Sequence, residues 1–522
     1  MLENELHKIH IFEFYRTNGY FCFMYRVRKV RTKSGSSAIQ VVRYVGHRAI
    51  IAKHIGSAKD EQEHGFLVER AHEWISEQTQ QVSLFPEQKQ KVLIVERGEC
   101  IAVTHEFAYQ FFWGCIIECN LSHLPPLLVD LTIIRLIEPA SKLRSIELLS
   151  RYFGIQYSQR IYRNIPKLIA HKADIEQCAY KVAQQKFKEQ FYYVLYDVTT
   201  LYFESFKADE LKIQGFSKDN KSQQPQIVIG LLVTQAGFPL SYNVFAGNTF
   251  EGNTMLPVIE DFISKHPHTK PIVVADAAML DQERLEQLRQ KNISYIVGAR
   301  LANSNLGLIK QIQSALNSVN GAITRVKSKH GDLICDFSSK RYKKELTDLN
   351  KLILKAEKLV ESQSIGAKAK FIKRVAKEKV ELNVALIEKR RLLLGIKGYC
   401  TDLSESQLSS QQVIERYHHL WRVEQSFRMS KFDLEARPIF HHKEEAIKSH
   451  VLICFAALVI EKYLELTTKM SLRNIRLLVW NITESHIRDT LTKETFKFIS
   501  PTAEILTSPL APLIKKWNLL PH

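Results

Sequence analysis

Between residues 191 and 300 the chain changes texture, and this change constrains the fold more than any other feature. Runs rich in β-branched and aromatic residues follow one another: FYYVLYDVTTLYFES, QIVIGLLVT, FPLSYNVFAG and KPIVVADAAM, with SYIVGARL after them. Bounded by turn residues, such runs read as strands. Helical patterns at 253–264 and 281–291 fall among them, and this order predicts a mixed α/β or α+β domain. Two carboxylates interrupt the apolar runs: Asp197 within the first, and Asp276 at the end of PIVVAD.

The flanks read differently. Residues 20–56 suggest two or three strands around a KSGS turn, with Arg26, Arg28, Lys29, Arg31 and Lys33 outward; a helix and the linker SLFPEQKQK follow. Residues from about 101 to 190 read as helical. Within them, SKLRSIELLSRYFGIQYSQRIYRNI gives helix, Gly154 turn, helix. That rhythm suits a helix-turn-helix offering Gln159, Arg160, Arg163 and Asn164 to a DNA groove. An ordinary helical bundle is the alternative, because Pro166 ends or kinks the second helix. Cys115, Cys119 and His123 recur at four-residue spacing, as zinc ligands on one helix face would, with His105 as the nearest fourth donor. Their setting, FAYQFFWGCIIEC, is apolar almost all round and favours core packing.

Charge narrows the choice of partner. With 73 Lys and Arg against 55 Asp and Glu, the net charge is +18. Half of it, +9, falls between Lys340 and Arg391. A solvated helix face mixes signs more evenly, so this block, with Lys373 and Arg374 at its centre, is expected to meet phosphates. The start, MLENELHKIH, lacks the apolar core of a signal peptide, and Val451–Ile460 is too short to span a bilayer. Eight scattered cysteines fit a reducing compartment. The expectation is an intracellular protein with a polyanionic partner and no membrane.

A third acid completes the picture. In YHHLWRVEQSFRMSK, residues 417–431, helical spacing sets Tyr417, Leu420, Trp421, Glu424, Phe427 and Lys431 on one stripe. Glu424 is therefore expected among apolar groups, where a carboxylate must be paired, protonated or bound to a cation. Singly, each acid has an ordinary explanation: a hydroxyl partner for Asp197, a helix N-cap for Asp276, an ion pair with Arg428 for Glu424. Together, in a basic protein, two strand-borne acids and one helix-borne acid are what two-metal phosphoryl transfer needs, since Mg²⁺ takes oxygen ligands.

Here the sequence resembles the DDE transposases of bacterial insertion sequences, in the group with a Tyr–Arg–Glu–Lys signature around the last acid. Tyr417, Glu424 and Lys431 match in register, whereas Leu420 stands at the Arg position. The likeness extends over YDVTTLYFES, GFSKDNKSQQPQ, FAGNTFEGNT, VVADAAML and FDLEARPIFHHKEEAIKSHVLICFAAL, and over SGSSAIQVVRYVGHRAIIAKHIGSA near the start. It implies a mixed α/β chain whose RNase H-like catalytic core carries an inserted domain, preceded by a small β-rich segment and a helical DNA-binding region. The expected limits are 1–85 for the β-rich part with its helix, 86–190 for the helical DNA-end-binding domain, 191–302 and 401–470 for the two parts of the core, 303–400 for the basic insertion, and 471–522 for a helical tail. It further implies Asp197, Asp276 and Glu424 as catalytic metal ligands, with Mg²⁺ or Mn²⁺ as cofactor, two ions in all. Tyr417 and Lys431 would contact DNA near the cleaved phosphate. Arg422 or Arg428 would supply the missing Arg, and Lys218 with the neighbouring Asp219 would touch substrate. The implied activity is cleavage of double-stranded DNA at the element's inverted-repeat ends and strand transfer into target DNA, by a homodimer in the bacterial cytoplasm at the nucleoid. A nuclease that cuts without joining, and a non-catalytic DNA-binding descendant, are the alternatives.

Overall fold

The computed structural model describes residues 25–520 apart from 33–34, 46, 80–96, 205–206, 217–222, 278–281, 329–330, 363–369, 377–378 and 491–492. Lys218, Asp219 and Lys33 thus lie outside the described residues. The chain divides into two units, one formed by 1–103 with 484–500, the other by 104–483 with 501–522.

In the first unit, β1 (Tyr25–Arg31), β2 (Ser37–Val45) and β3 (Arg48–Ala58) form an antiparallel meander. Alternation does the sorting: Val27 and Val30 are half-buried, while Arg26, Arg28, Lys29 and Arg31 are exposed. Helix α1 (Glu61–Thr79) closes the small core with Leu67 and Ala71 against Ile39, Val41 and Ala58. Strand β4 (Gly98–Thr104) belongs to a second sheet with Glu484–Asp489 and Thr495–Ile499. The stretch 471–522, expected to be all helical, therefore contains two strands. Glu484–Asp489 alternates charged with apolar or small residues, and its pairing partners lie far away in sequence, where no local pattern reports them.

The second unit begins with helices α2 (Glu106–Glu118), α3 (Pro126–Ile137), α4 (Lys142–Phe153) and α5 (Lys172–Lys186). Ser141 caps α4 by accepting from the Arg144 N–H, and Gly154 ends it in the left-handed conformation at φ 69°, which glycine adopts without steric cost. No second α-helix follows. Residues 159–163 and 165–171 form 3₁₀ turns, because Pro166 lacks an N–H and Ser158 re-caps the chain at Arg160. The helix-turn-helix alternative is overturned on this point, leaving Arg160 and Arg163 exposed on a 3₁₀ turn. Cys115 and Cys119 are fully buried, and burial pushes both thiols up, as small core hydrophobes would behave.

These helices pack beside an eight-stranded mixed sheet. Strands β5 (Tyr193–Tyr202), β6 (Gln226–Thr234) and β7 (Pro239–Ala246) run antiparallel. After α6 (Met255–Lys265), β8 (Ile272–Ala275) joins β5 in parallel; after α7 (Gln282–Gln290), β9 (Tyr295–Ala299) joins β8 in parallel. Helix α8 (Leu306–Leu316) leads to the hairpin β10 (Ile323–Ser328) and β11 (Gly331–Phe337). The chain then leaves the sheet through α9 (Ser339–Glu361), the hairpin β12 (Ile372–Ala376) with β13 (Lys379–Leu382), and α10 (Val384–Leu392). It returns as β14 (Ile396–Thr401), giving the order β10-β11-β14-β9-β8-β5-β6-β7. The excursion carries its own apolar cluster of Leu349, Ala356, Phe371, Ile387 and Leu394.

Helices α11 (Ser410–His418) and α12 (Trp421–Arg428), a π-turn at Met429–Asp433, α13 (Glu444–Thr468), α14 (Leu472–Trp480), α15 (Ala503–Thr507) and α16 (Ala511–Trp517) complete the unit. Helix α13 is buried along nearly its whole length. Among the described residues, no helix is long and apolar enough to cross a membrane.

Candidate active site

The site forms where β5 and β8 run side by side. Their parallel ladder pairs Tyr196 with Ala275, so the next residue on each strand, Asp197 and Asp276, stands beside the other across the ladder. Asp197 and Thr199 are the half-buried residues of a strand whose other residues are buried; Asp276 is exposed. Asp276 does not cap α7, which starts only at Gln282. Its Oδ1 accepts instead from the Ala277 N–H at 2.7 Å and from the Tyr417 hydroxyl at 3.0 Å.

Tyr417 reaches Asp276 through a gap left by Gly298 on β9. A Cβ on that residue would lie 2.6 Å from the Tyr417 Oη, closer than packed atoms tolerate. Burial comes first in pushing the Tyr417 hydroxyl up, followed by the charges of Asp276, Glu424 and Asp197. All three acids therefore act on one hydroxyl, from β5, from the end of β8 and from α12.

Glu424 does not sit where a continuous helix would put it. A capping box at Ser409 and Gln412 starts α11, but the helix ends at His418. The next bonds are Leu420 N–H to the Tyr417 carbonyl, Arg422 to His419 and Val423 to Leu420, each spanning three residues. Tighter turns of this kind advance about 120° per residue instead of 100°. They rotate α12 relative to α11 and take Glu424 off the face that buries Tyr417, Leu420 and Phe427. Glu424 is exposed, as is Trp421 at 53%. The expectation of a carboxylate starved of water is corrected: it faces solvent. It makes no ion pair with Arg428 among the described residues.

The expected DNA-contacting residues separate into groups. Half-buried Lys431, within the π-turn, lines a small cavity with Thr199, which shares a strand face with Asp197. Arg428 is exposed. Arg422 donates to the Gln235 carbonyl at the β6–β7 turn, and its guanidinium carbon lies 5.7 Å from the Trp421 ring centre. That turn lies four residues beyond Leu231, the partner of Asp197, or about 13 Å along the strand. Arg422 thus serves the turn. Lys373 and Arg374 are exposed on β12, Lys373 facing Glu381 at 3.9 Å.

Reading the sequence missed the residues behind Tyr417. Tyr399, on β14, donates to Asp336 at 2.9 Å, and Arg341 donates to the other oxygen of that carboxylate at 3.0 Å. The rings of Tyr399 and Tyr417 meet edge-on at 5.0 Å. Half-buried Lys397 lies 5.7 Å from the Tyr399 ring centre and 4.7 Å from that of Tyr417. The available signal was a lone charge in GIKGYCT, a run otherwise typical of a strand.

The donors offered here are oxygens, which suit a hard divalent cation and not zinc. As placed, no three His, Cys, Asp or Glu side chains among the described residues close on a single cation position.

The family description "Transposase DDE domain" matches residues 191–460, just over half of the chain. No curated protein matches the sequence. Among solved structures, a cryo-EM structure of a piggyBac transposase synaptic complex with hairpin DNA aligns at 10% identity, over 84% of this chain and 80% of that one. Its TM-score of 0.35 is too low to carry an argument.

Proposed function

The chain belongs to the DDE transposase family, and from that premise we propose that it cuts DNA at the ends of an insertion sequence and joins them to target DNA, with Asp197, Asp276 and Glu424 as the acids of an RNase H-like core. Strands β5 to β9, in the order β7-β6-β5-β8-β9, form that core, and the excursion between β11 and β14 is its inserted domain. One observation carries the assignment: the β5–β8 ladder brings Asp197 level with Asp276, and Asp276 accepts from Tyr417, seven residues before Glu424.

Asp197, Asp276 and Glu424 would hold Mg²⁺ or Mn²⁺, two ions in all. Such a cation, when bound, activates a water or 3′-hydroxyl and offsets charge on the leaving oxygen. The chain's own residues do the rest. Tyr417 and the Ala277 N–H fix one oxygen of Asp276, leaving its other oxygen to turn toward Asp197. Lys431 and Arg428 offer cationic donors to the phosphates on either side of the reacting one. The net positive charge supplies attraction to duplex DNA regardless of sequence, and two copies would bring paired ends together at the nucleoid.

The test uses linear duplex DNA ending in the element's inverted repeats. Cuts are expected with Mg²⁺ or Mn²⁺ and none with Ca²⁺ or EDTA; cutting that persists in EDTA would overturn the reading. Pre-cut ends with a free 3′-hydroxyl, mixed with a supercoiled plasmid, separate joining from cutting alone.

A further inference from the structure

Lys397 is a cation influenced by the acids Asp276 and Glu424, and the reading above gives it no role. It stands on β14, the strand that brings the chain back from the basic excursion, with Tyr399 on the same strand face. Its ammonium lies over the rings of Tyr417 and Tyr399, which attract it through their negative faces. Desolvation, followed by Arg341, lowers its proton affinity, while Asp336, Asp276 and Glu424 raise it. It lies within the field of two of the three proposed metal-binding acids. Yet among the described residues its ammonium makes no hydrogen bond and no ion pair.

A half-buried ammonium without a hydrogen-bond partner is costly. The nearest candidate, Asp336, is already engaged by Tyr399 and Arg341. Neither Asp276 nor Glu424 forms an ion pair with the ammonium among the described residues. Its N–H groups are thus left for a group that arrives from outside. That group must be anionic, and it must come to the place where the acids act.

We propose that Lys397 is a catalytic residue that donates to a non-bridging oxygen of the phosphodiester reacting at Asp197, Asp276 and Glu424. The proposal rests on the function proposed above. A phosphate approaching three carboxylates meets like charge, and a fixed cation on the far side of the phosphate reduces that repulsion. Preorganised donors of this sort act on the charge that builds in the transition state. The inserted segment contributes accordingly in two ways: by its surface charge, and by returning β14 to the sheet with a donor.

The experiment compares wild-type, Lys397→Met, Lys397→Arg and Asp276→Asn chains on end DNA carrying either a normal scissile phosphate or a neutral methylphosphonate there. Methionine keeps an unbranched side chain without the charge, and an unchanged thermal midpoint verifies the fold. Lys397→Met should cut about 100-fold more slowly, the usual loss for one transition-state donor, with unchanged DNA affinity. Lys397→Arg should restore part of the rate. One methylphosphonate stereoisomer should slow the wild type strongly and Lys397→Met hardly further, because the missing charge and the missing oxygen belong to the same hydrogen bond. Losses that multiply in full, or a Lys397→Met chain that cuts at close to the wild-type rate while Asp276→Asn is dead, overturn this proposal alone. Equal cutting by Asp276→Asn and wild type overturns the assignment of the acids and this proposal with it.

Discussion

At the scale of single residues, the site depends on charge at exposed positions and on close packing just beneath. Glu424 is exposed, with no ion-pair partner among the described residues, so Glu424→Gln should change stability by less than about 0.5 kcal/mol. It should also leave DNA affinity intact, since removing a negative charge cannot weaken attraction to phosphate. The cutting rate should nevertheless fall on the order of 10²-fold or more, because the lost charge belongs to the electrostatic part of catalysis. Parallel melting, gel-shift and cleavage measurements make the comparison; near wild-type cutting would remove Glu424 from the set. The identities of the three acids were legible because an acid inside an apolar strand or stripe departs from the local pattern. The exposure of Glu424 was not legible. It depends on a few turns between Tyr417 and Val423 that span three residues instead of four, and no single side chain there announces them. Lys397 escaped notice because its meaning comes from Tyr417 and Asp276, far away in sequence.

At the scale of elements, α13 carries a second acid that behaves differently. Glu461 is 2% exposed, and its Oε2 has no hydrogen-bond partner among the described residues. Burial first, and the nearby Asp433 second, push its carboxyl up to about 8. In the unfolded chain the group titrates at its ordinary value near 4.5. Between those values the folded state keeps a proton that the unfolded state has released, so stability falls as pH rises through this window. Glu461→Gln mimics the protonated form and removes this dependence. The variant should match the wild type near pH 4 and exceed it at pH 8 by on the order of 1–3 kcal/mol, the usual cost of a buried unsatisfied group. Denaturant unfolding at several pH values measures the difference, and parallel curves for the two chains would refute it. Such a group cannot be read from the sequence, where Glu461 ends the apolar run CFAALVIEK like any solvated acid. Its burial comes from the elements that enclose α13 on all sides.

At the scale of the whole molecule, the alternation of strands and helices from 191 to 300 made the mixed sheet legible, and the basic block was visible as a count of charges. What pairs with what was not: β14 returning beside β9, and Glu484–Asp489 closing the sheet begun by β4, join segments with no local trace of one another. The block itself now has a shape. Its charge is displayed on α9, on the β12–β13 hairpin and on the last turn of α10, around a small apolar cluster. Lys373 and Arg374 on the hairpin are exposed, and the Lys373–Glu381 pair at 3.9 Å is long and solvated, so that pair adds little to stability. Reversing both to Glu should therefore preserve the thermal midpoint. It should weaken binding to every duplex alike and flatten the plot of log affinity against log salt by about 0.9 for each phosphate no longer neutralised. Cleavage at saturating protein should be kept, since these side chains stand on the excursion and not on β5, β8 or α12. Binding titrations at several salt concentrations decide the matter. An unchanged slope would assign the block to solvation alone, whereas a loss confined to one sequence would make the hairpin a reader of bases and not of phosphates.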